Sequence, residues 1–326
     1  MKKIVLAIAL LIGIQHASEA QQQPRFSQYM FNQMVLNPAY TGSTETFSAS
    51  LLGRYQWVGI EGAPQTGTIG AHAALGDAKK IGVGGFISYD RIGVTQTMGA
   101  FATYSYKFIL GESRLSMGIS GGLNYLSTDD SQLHTNGEME NVTIDPSFNQ
   151  GNLRKTLPNF GLGLYYYNPR KFYIGFSAPH LLNNNLRSDN TVAVVAHQFR
   201  HYNFMAGAIL GQGMFKFRPS VLVKAVPVNA PLQVDLSGLV LIKDMIWIGG
   251  SYRTPIGSKD ADGQTLVIDS ESANAIVAFQ KDGWKIGYAY DFTITQLRQF
   301  TNGSHEVSLT FDMKQKGVRV HTPRFF

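Results

Sequence analysis

Three short motifs in this sequence contain residue types that could do chemistry. Residues 118–122, Gly-Ile-Ser-Gly-Gly, have the G-x-S-x-G spacing of a serine hydrolase, in which a sharp strand-to-helix turn exposes the nucleophile. No helical pattern follows Ser120, and the glycines fall inside a regularly alternating segment. The spacing therefore indicates small residues on one face of a strand, and we do not expect Ser120 to be a nucleophile.

The other two motifs resemble metal sites. His197 and His201 have the i, i+4 spacing of a zinc-protease helix, but Gln198 stands where that motif needs a glutamate as general base. Residues 260–263, Asp-Ala-Asp-Gly, are followed by Glu271 and resemble a calcium loop whose glycine comes two positions too early. We expect the histidines to lie in a loop. We expect residues 260–263 to form a polar extracellular loop, with calcium binding as the alternative.

Cysteine is absent from the chain, which excludes disulfides, thiolate metal sites and cysteine nucleophiles. The sequence also has no phosphate-binding glycine-rich loop. The net charge of +6 comes partly from the two ends of the chain, and no basic helix with interleaved aromatic residues indicates nucleic-acid binding. We therefore predict a protein without catalytic residues, metal ions or cofactors, and without a nucleic-acid partner.

The elements that hold these motifs are predicted to be strands with two different faces. Between residues 114 and 125, bulky apolar residues alternate with small, polar or charged ones, and a period of two indicates a β-strand. The bulky face consists of Leu115, Met117, Ile119, Leu123 and Tyr125, and the other face of Arg114, Ser116, Gly118, Ser120, Gly122 and Asn124.

The same alternation predicts about fourteen strands and an all-β fold. An even number suits a transmembrane antiparallel β-barrel of a bacterial outer membrane, which we place in residues 45–313. Many strands reach about ten residues, the length that a tilted membrane strand needs, whereas a soluble β-sandwich predicts shorter ones. The candidate strands are residues 46–58, 66–75, 80–90, 96–109, 113–126, 158–167, 171–179, 202–210, 215–225, 231–242, 245–253, 273–280, 284–293 and 305–313.

The connections and the aromatic residues also indicate a membrane barrel. Short turns such as residues 111–112 contrast with long connections, an asymmetry typical of outer-membrane barrels. Aromatic residues near strand ends suggest girdles at the membrane interfaces. The long connections are residues 127–157, 180–201, 254–272 and 294–304, and the aromatic positions include Tyr55, Trp57, residues 104–108 and residues 165–167.

Residues 1–20 have the pattern of a secretory signal peptide. Lys2 and Lys3 precede an apolar run over residues 4–14, and small residues at the −3 and −1 positions predict cleavage after Ala20. A transmembrane anchor is the alternative, but the apolar run is shorter than the roughly 20 residues that a bilayer requires. Export and a barrel together place the protein in the outer membrane of a Gram-negative bacterium, in contact with the lipid bilayer.

The two ends of the mature chain do not alternate. Residues 21–44 show helical spacing of Phe26, Tyr29 and Met30, followed by a turn at Asn37 and Pro38. We predict a short helix and turn that plug the lumen from the periplasmic side, with an extended periplasmic arm as the alternative. Residues 314–326 form a basic tail, which is either a periplasmic docking arm or a disordered extension. The docking residues of that arm would be Arg324, Phe325 and Phe326.

The strand face with the small residues carries charges of both signs. Cross-strand pairing inside a filled barrel is the structural interpretation, which we favour. A conducting pore that prefers anions is the functional alternative. The predicted lumen cations are Lys107, Arg114, Lys216, Arg218, Lys224, Arg253 and Lys285, and the predicted lumen carboxylates are Asp90, Asp235, Asp291, Glu306 and Asp312.

Several segments, taken in order along nearly the whole mature chain, carry a family resemblance. They are residues 26–32 (Phe-Ser-Gln-Tyr-Met-Phe-Asn), 37–42 (Asn-Pro-Ala-Tyr-Thr-Gly), 173–182, 218–224, 233–236, 247–254, 287–291, 303–307 and 323–326. As a set they resemble the PorP/SprF-like outer-membrane proteins of the type IX secretion system, found in gliding and related Gram-negative bacteria. No single segment is specific.

The resemblance implies a non-enzymatic barrel that works in protein export. Its partners would be other components of the type IX secretion system. Some family members support the secretion machine through a periplasmic subunit bound to peptidoglycan, and others receive the C-terminal domain of a secreted adhesin at the cell surface. A porin or small-molecule transporter is the alternative function, motivated by the mixed charges of the lumen.

Overall fold

The computed structural model describes residues 24–128, 153–185, 197–226, 231–256 and 271–313. The signal peptide, residues 260–263 and the C-terminal tail with Arg324, Phe325 and Phe326 lie outside the described residues. No helix in the described part of the chain is long and apolar enough to cross a membrane.

Fourteen antiparallel strands close into a barrel, which confirms the predicted fold. Each strand pairs with its neighbour in the chain, and the first strand closes the barrel on the last with Ser48 opposite Asp312. The strands are β1 (Ser48–Tyr55), β2 (Gln65–Leu75), β3 (Ile81–Ile92), β4 (Thr95–Leu110), β5 (Ser113–Thr128), β6 (Leu153–Asn168), β7 (Phe172–His180), β8 (His201–Ala208), β9 (Phe215–Ala225), β10 (Leu232–Ile242), β11 (Ile246–Ile256), β12 (Ser272–Lys281), β13 (Trp284–Thr293) and β14 (Ser304–Asp312).

The alternating sequence places bulky residues outside and small or polar residues inside. In β4, Tyr104 and Tyr106 are exposed on the outer surface, while Thr103, Ser105 and Lys107 are buried on the inner one. The same division recurs around the barrel and leaves an apolar outer band in place of a polar surface. Such a band suits lipid, since a closed sheet satisfies its own backbone hydrogen bonds and leaves only side chains for the bilayer.

The two ends of the barrel differ in the length of their connections. At one end every described turn has six residues or fewer, and Asp282-Gly283 forms a two-residue hairpin loop with positive φ at both positions. We call this the short-turn end, and β1 begins and β14 finishes there. Most connections at the opposite end, the long-loop end, are longer. Long loops face the outside in outer-membrane barrels, so the short-turn end faces the periplasm.

Strand β6 is longer than its pattern predicted because a proline inside it costs no ladder hydrogen bond. The predicted strand began at Pro158, whereas the observed strand begins at Leu153. Beyond the end of β7, the Phe160 carbonyl accepts from the Leu181 N–H, and the Pro158 carbonyl accepts from the side chain of Asn184. The backbone of Pro158 therefore faces an edge without a neighbouring strand, where proline is tolerated.

One part of the predicted aromatic girdle is wrong. Tyr165 and Tyr167 point into the lumen and are almost completely buried, and only Tyr166 lies between them on the outer face. The rings pack on one another with centroids 5.1 Å apart, and Tyr165 also contacts Tyr40. The strand period makes neighbours in an aromatic triplet face opposite sides, so a triplet cannot be a girdle as a whole.

Ser120 lies on a strand, as predicted, whereas the histidines, which were predicted to lie in a loop, lie on strands. Ser120 is in the middle of β5, between Thr103 on β4 and Gly161 on β6, and no strand-to-helix turn is present there. His197 and Gln198 form a two-residue ribbon with residues 184–185, and His201 is the first residue of β8.

Candidate functional site in the barrel lumen

Residues 24–44, which we call the N-terminal segment, run through the lumen from one mouth to the other. Arg25 forms an ion pair with Glu271, which directly precedes β12 at the long-loop end. Near the short-turn end, the Lys107 Nζ donates to the Gly42 carbonyl at 2.6 Å. Between these points the segment contains two 3₁₀ turns, Tyr29–Phe31 and Pro38–Tyr40, and one α-helical turn, Gln33–Leu36.

The predicted helical spacing corresponds to only these short turns, for a structural reason. A helix satisfies its backbone internally, but here backbone groups bond to the barrel wall. The Leu36 carbonyl accepts from Ser177 at 2.6 Å and from Asn203 at 3.1 Å. The Thr41 carbonyl accepts from Ser105 at 2.6 Å. The segment therefore lies against the inner wall and does not form a continuous helix along the axis.

A buried ionic network, the anchor cluster, holds the beginning of the segment. It consists of Arg54, Asp235, Arg253, Asp291 and Glu306, from β1, β10, β11, β13 and β14. The Arg54 guanidinium lies 2.6 Å from Asp291 and 3.1 Å from Glu306. Arg253 Nε lies 2.5 Å from Asp235. All five side chains are almost completely buried, so each charge depends on its partners for stabilisation.

The anchor cluster binds the backbone of the segment directly. Glu306 accepts the backbone N–H groups of Ser27 at 2.8 Å and Gln28 at 2.6 Å. The Ser27 hydroxyl donates to Asp291 at 2.7 Å and accepts from Arg54 at 2.7 Å. Two backbone donors that water cannot reach are thereby satisfied by one carboxylate, which is a strong, charge-assisted arrangement.

Arg25 extends this ionic network toward the long-loop mouth. Burial lowers the pKa of Arg25 to about 10, with the nearby Arg253 charge acting in the same direction. The guanidinium still carries its charge at neutral pH, and its ion pair with Glu271 ties the segment to the loop before β12.

A layer of aromatic residues lies next to the anchor cluster, on its short-turn side. The Tyr29 hydroxyl donates to Ser220 at 2.9 Å and accepts from Ser237, and burial raises the pKa of Tyr29 well above its ordinary value. Phe31 meets Trp247 edge-on at 6.3 Å, and the Lys285 Nζ lies 4.6 Å from the Phe31 ring centroid. The lumen cation at position 285 is thus placed over an aromatic face.

Glycines in the wall make room for the turn at Asn37 and Pro38. The Asn37 side chain accepts from the Ala39 N–H at 2.9 Å and donates to the Leu164 carbonyl at 3.0 Å. A Cβ at Gly118 would collide with the backbone of Ala39, and one at Gly163 would collide with the Asn37 side chain. The small-residue face of β5, including the G-x-S-x-G run, therefore fits the N-terminal segment.

The structure brings four of the predicted lumen residues together and separates the others. Asp235, Arg253, Asp291 and Glu306 belong to the anchor cluster. The remaining predicted residues are not members of the cluster, although Lys224 on β9 lies close to it, opposite Gln233. Lys224 donates to the Pro24 carbonyl, Arg114 pairs with Glu45, Lys216 pairs with Asp244, Lys107 binds Gly42, and Arg218 lies 5.7 Å from the Trp247 ring.

Sequence reasoning missed Arg54, which contacts two of the three carboxylates of the anchor cluster, Asp291 and Glu306. The sequence did indicate that Arg54 faces inward. It is separated by an even number of residues from Ser48 and Leu52, so all three side chains lie on the inner face of β1. Phe26, Tyr29, Met30, Asn37 and Pro38, the predicted plug residues, are all buried inside the barrel. Among the described residues, no group of three or more His, Asp or Glu side chains is arranged to hold a metal ion.

Comparison with known proteins gives one family match. A family model described as "Type IX secretion system membrane protein PorP/SprF" matches residues 18–311. No curated protein matches the chain.

Solved structures of outer-membrane barrels have a similar chain trace at low identity. The FadL homologue of Pseudomonas aeruginosa is 12% identical with a TM-score of 0.47, covering 90% of this chain and 95% of that one. Omp33 of Acinetobacter baumannii is 8% identical with a TM-score of 0.45, covering 82% and 98%. BamA of Haemophilus ducreyi lacking POTRA domains 1–3 is 10% identical with a TM-score of 0.43, covering 82% and 70%. These values carry no information about function.

The anchor cluster predicts a specific loss of stability. Replacing Glu306 with Ala leaves Arg54 with one carboxylate and frees two buried N–H groups, so we expect a loss of about 3 kcal/mol. Urea unfolding in lipid vesicles measures this loss. The chain has no native cysteine, so a Met30→Cys probe should also react faster with maleimide in the Glu306→Ala background. The matched control is Thr310→Ala on the same inner face of β14; an equal effect of both variants would contradict the anchor.

The glycines of the inner wall beside the N-terminal segment predict different outcomes for two substitutions in β5. Gly118→Val would push against the backbone of Ala39, and we expect a loss of about 1–3 kcal/mol or more from overpacking. Gly121→Val points outward, where its Cβ would meet the Phe160 ring at an ordinary 3.4 Å, and should be nearly neutral. Heat-modifiable mobility and urea unfolding compare the two proteins. Equal stability of the two variants would show that the lumen is not tightly occupied at Ala39.

Proposed function

The chain belongs to the PorP/SprF family of type IX secretion system membrane proteins, and we propose that it supports secretion as a non-enzymatic scaffold. It is an outer-membrane barrel. The scaffold would assist the export or surface anchoring of a secreted adhesin through contacts with other proteins. The observation that carries this proposal is the occupied lumen, because a barrel that binds its own N-terminal segment on all sides is suited to contacts at its rims.

The contacts of the N-terminal segment support a plug role for these residues. They reach β14 at Glu306, β9 at Ser220, β2 at Thr68 and β4 at Thr103, which are widely spaced around the wall. The buried charges of the anchor cluster bind the N-terminal segment and each other. A water-filled path would instead keep such charges solvated, as selective pores do.

The two rims would bind different partners. At the short-turn end, a cavity of about 250 Å³ is lined by charged residues that include Glu45, Glu112, Arg114 and Arg170. Residues 314–326 follow β14 at this end. We propose that this rim and the tail, through Arg324, Phe325 and Phe326, contact a periplasmic subunit bound to peptidoglycan. The long-loop end would receive the C-terminal domain of the adhesin.

A porin or small-molecule transporter is the second candidate function. It is favoured by the cavities at the two mouths, about 370 Å³ at the long-loop end and about 250 Å³ at the short-turn end. A further cavity of about 100 Å³ lies beside the N-terminal segment, lined by Met34, Phe101 and His201 among others. A segment that moved aside could join such spaces into a channel.

Affinity purification tests the scaffold role. The protein carrying a C-terminal affinity tag is captured from a detergent extract of native membranes, and bound proteins are identified by mass spectrometry. We expect stoichiometric recovery of a periplasmic secretion component or of one large adhesin. A matched capture from cells that carry the untagged protein controls for proteins that bind the affinity resin. Recovery of the barrel alone under mild detergent conditions would contradict the scaffold proposal.

Bilayer conductance separates the scaffold from the porin. We expect the intact protein to conduct poorly and a variant lacking residues 21–44 to conduct well, because its lumen is no longer occupied. Thr41→Cys with Thr103→Cys supplies a folded comparison, since the two hydroxyls lie 2.9 Å apart and the chain has no other cysteine. The disulfide should leave the low conductance unchanged. High conductance of the intact protein and of the reduced double-cysteine variant, with a fall in the variant on oxidation, would favour the porin.

A further inference from the structure

The cavity of about 100 Å³ inside the lumen, which we call the lumen slot, lies between the N-terminal segment and the barrel wall. Its lining residues come from β2, β3, β4, β5, β7 and β8 on one side, and from the segment between Pro24 and Pro38 on the other. It shares no described lining residue with the cavities at the two mouths. Ser120 and His201, whose sequence motifs suggested chemistry, both line this slot.

One side of the lumen slot is a row of four aromatic rings. Phe86 stacks on Phe101 with ring centroids 5.2 Å apart, and Phe101 meets His180 edge-on at 5.7 Å. His180 in turn meets His201 edge-on at 6.4 Å. Two strands separate Phe101 on β4 from His180 on β7, and small residues let the rings meet across them. A Cβ at Gly122 on β5, for example, would collide with the Phe101 ring.

His201 brings a buried acceptor without a donor to the lumen slot. The side chain is 3% exposed, and its Nδ1 lies 2.9 Å from the Phe199 carbonyl. A carbonyl can only accept, so Nδ1 carries the proton and Nε2 of the neutral ring is an acceptor. No group in the described part of the chain donates to Nε2. This atom does not activate Ser120 either, so the slot is suited to binding and not to hydrolysis.

The other lining residues restrict the occupant to an apolar molecule without negative charge. Asp90 lines the slot and accepts from the Thr66 hydroxyl at 2.5 Å. Lysine and arginine are absent from the described residues that line the slot, so an anion would meet a carboxyl group and no cation. On the side of the segment, Met34 and Leu36 add apolar surface opposite the aromatic row. An apolar body with few polar groups fits such a lining.

We propose that the lumen slot binds a small uncharged molecule with an apolar body and one hydroxyl or N–H donor. The body packs between the aromatic row and the side chains of Met34 and Leu36, and the donor bonds to His201 Nε2. An engineered cavity of roughly 150 Å³ binds benzene, so the slot holds a molecule of about the size of one aromatic ring. Because this molecule contacts the segment as well as the wall, its binding stabilises the filled lumen.

Protection of an engineered cysteine tests binding in the slot, with phenol and benzene as a matched pair of probes. Ser88 is half-buried and lines the slot, and the chain has no native cysteine, so Ser88→Cys places a single thiol there. Phenol should protect this thiol from a small thiol reagent at about a tenfold lower free concentration than benzene, which leaves Nε2 without a donor. The control is Ser50→Cys, since Ser50 is half-buried and lines a different lumen cavity. Its labelling should not change.

Replacing His201 separates recognition of the donor from simple filling of the slot. His201→Phe keeps a ring and removes the acceptor, so phenol and benzene should protect Ser88→Cys equally in this background. In the protein with His201 intact, phenol should shift the Nε2 resonance of isotope-labelled His201, which checks the contact without a variant. Benzoate should protect neither protein. Equal protection by phenol and benzene when His201 is present, equal slowing at Ser88→Cys and Ser50→Cys, protection by benzoate, or an unchanged Nε2 resonance would overturn the proposal.

Discussion

The hydrogen bonds from the backbone of Ser27 and Gln28 to the Glu306 carboxylate are the interaction on which the lumen depends. A buried carboxylate is costly unless its charge is paired and its oxygens accept hydrogen bonds. Arg54 supplies the opposite charge, and the two N–H groups complete the set. The N-terminal segment has the complementary need, since its irregular backbone cannot satisfy its own donors away from water. The charged wall and the segment therefore stabilise each other.

The width of the barrel explains why such a segment is required. The side chains of about eight strands are enough to fill a barrel, whereas fourteen strands enclose more space than small inward residues can fill. The inner face of this barrel is rich in glycine and serine, which widens the lumen further. At Gly118 and Gly163 the absent side chains match the position of Ala39 and Asn37. The small residues thus provide the shape complementarity of a packed core.

The sequence predicted the barrel well because alternation is a local property. All fourteen strands follow from the period of two, and errors occur where a local sign misleads, as at Pro158 in β6. Strand β1 was predicted to run to residue 58 but ends at Tyr55, and Trp57 adopts a positive φ of 51°. For the anchor cluster, the sequence predicted most of the residues but not the contacts between them. Inward charges can be listed by parity, but the contact of Arg54 with Asp291 joins residues 237 positions apart. Only closure of the sheet decides which inward charges share a height.

The residues that hold the N-terminal segment come from the first and the last strand. Filling of the lumen therefore depends on closure of the barrel. Arg54 lies on the first strand and Glu306 on the last, and the two residues are direct partners across the closing seam. Glu306 also binds Ser27 and Gln28, which precede the first strand. Before β14 pairs with β1, the segment lacks its main acceptor and Arg54 lacks one of its carboxylates. The last strand therefore completes the sheet and fixes the N-terminal segment in one step, so that a closed barrel with an unfilled lumen would leave Glu306 without its two backbone donors.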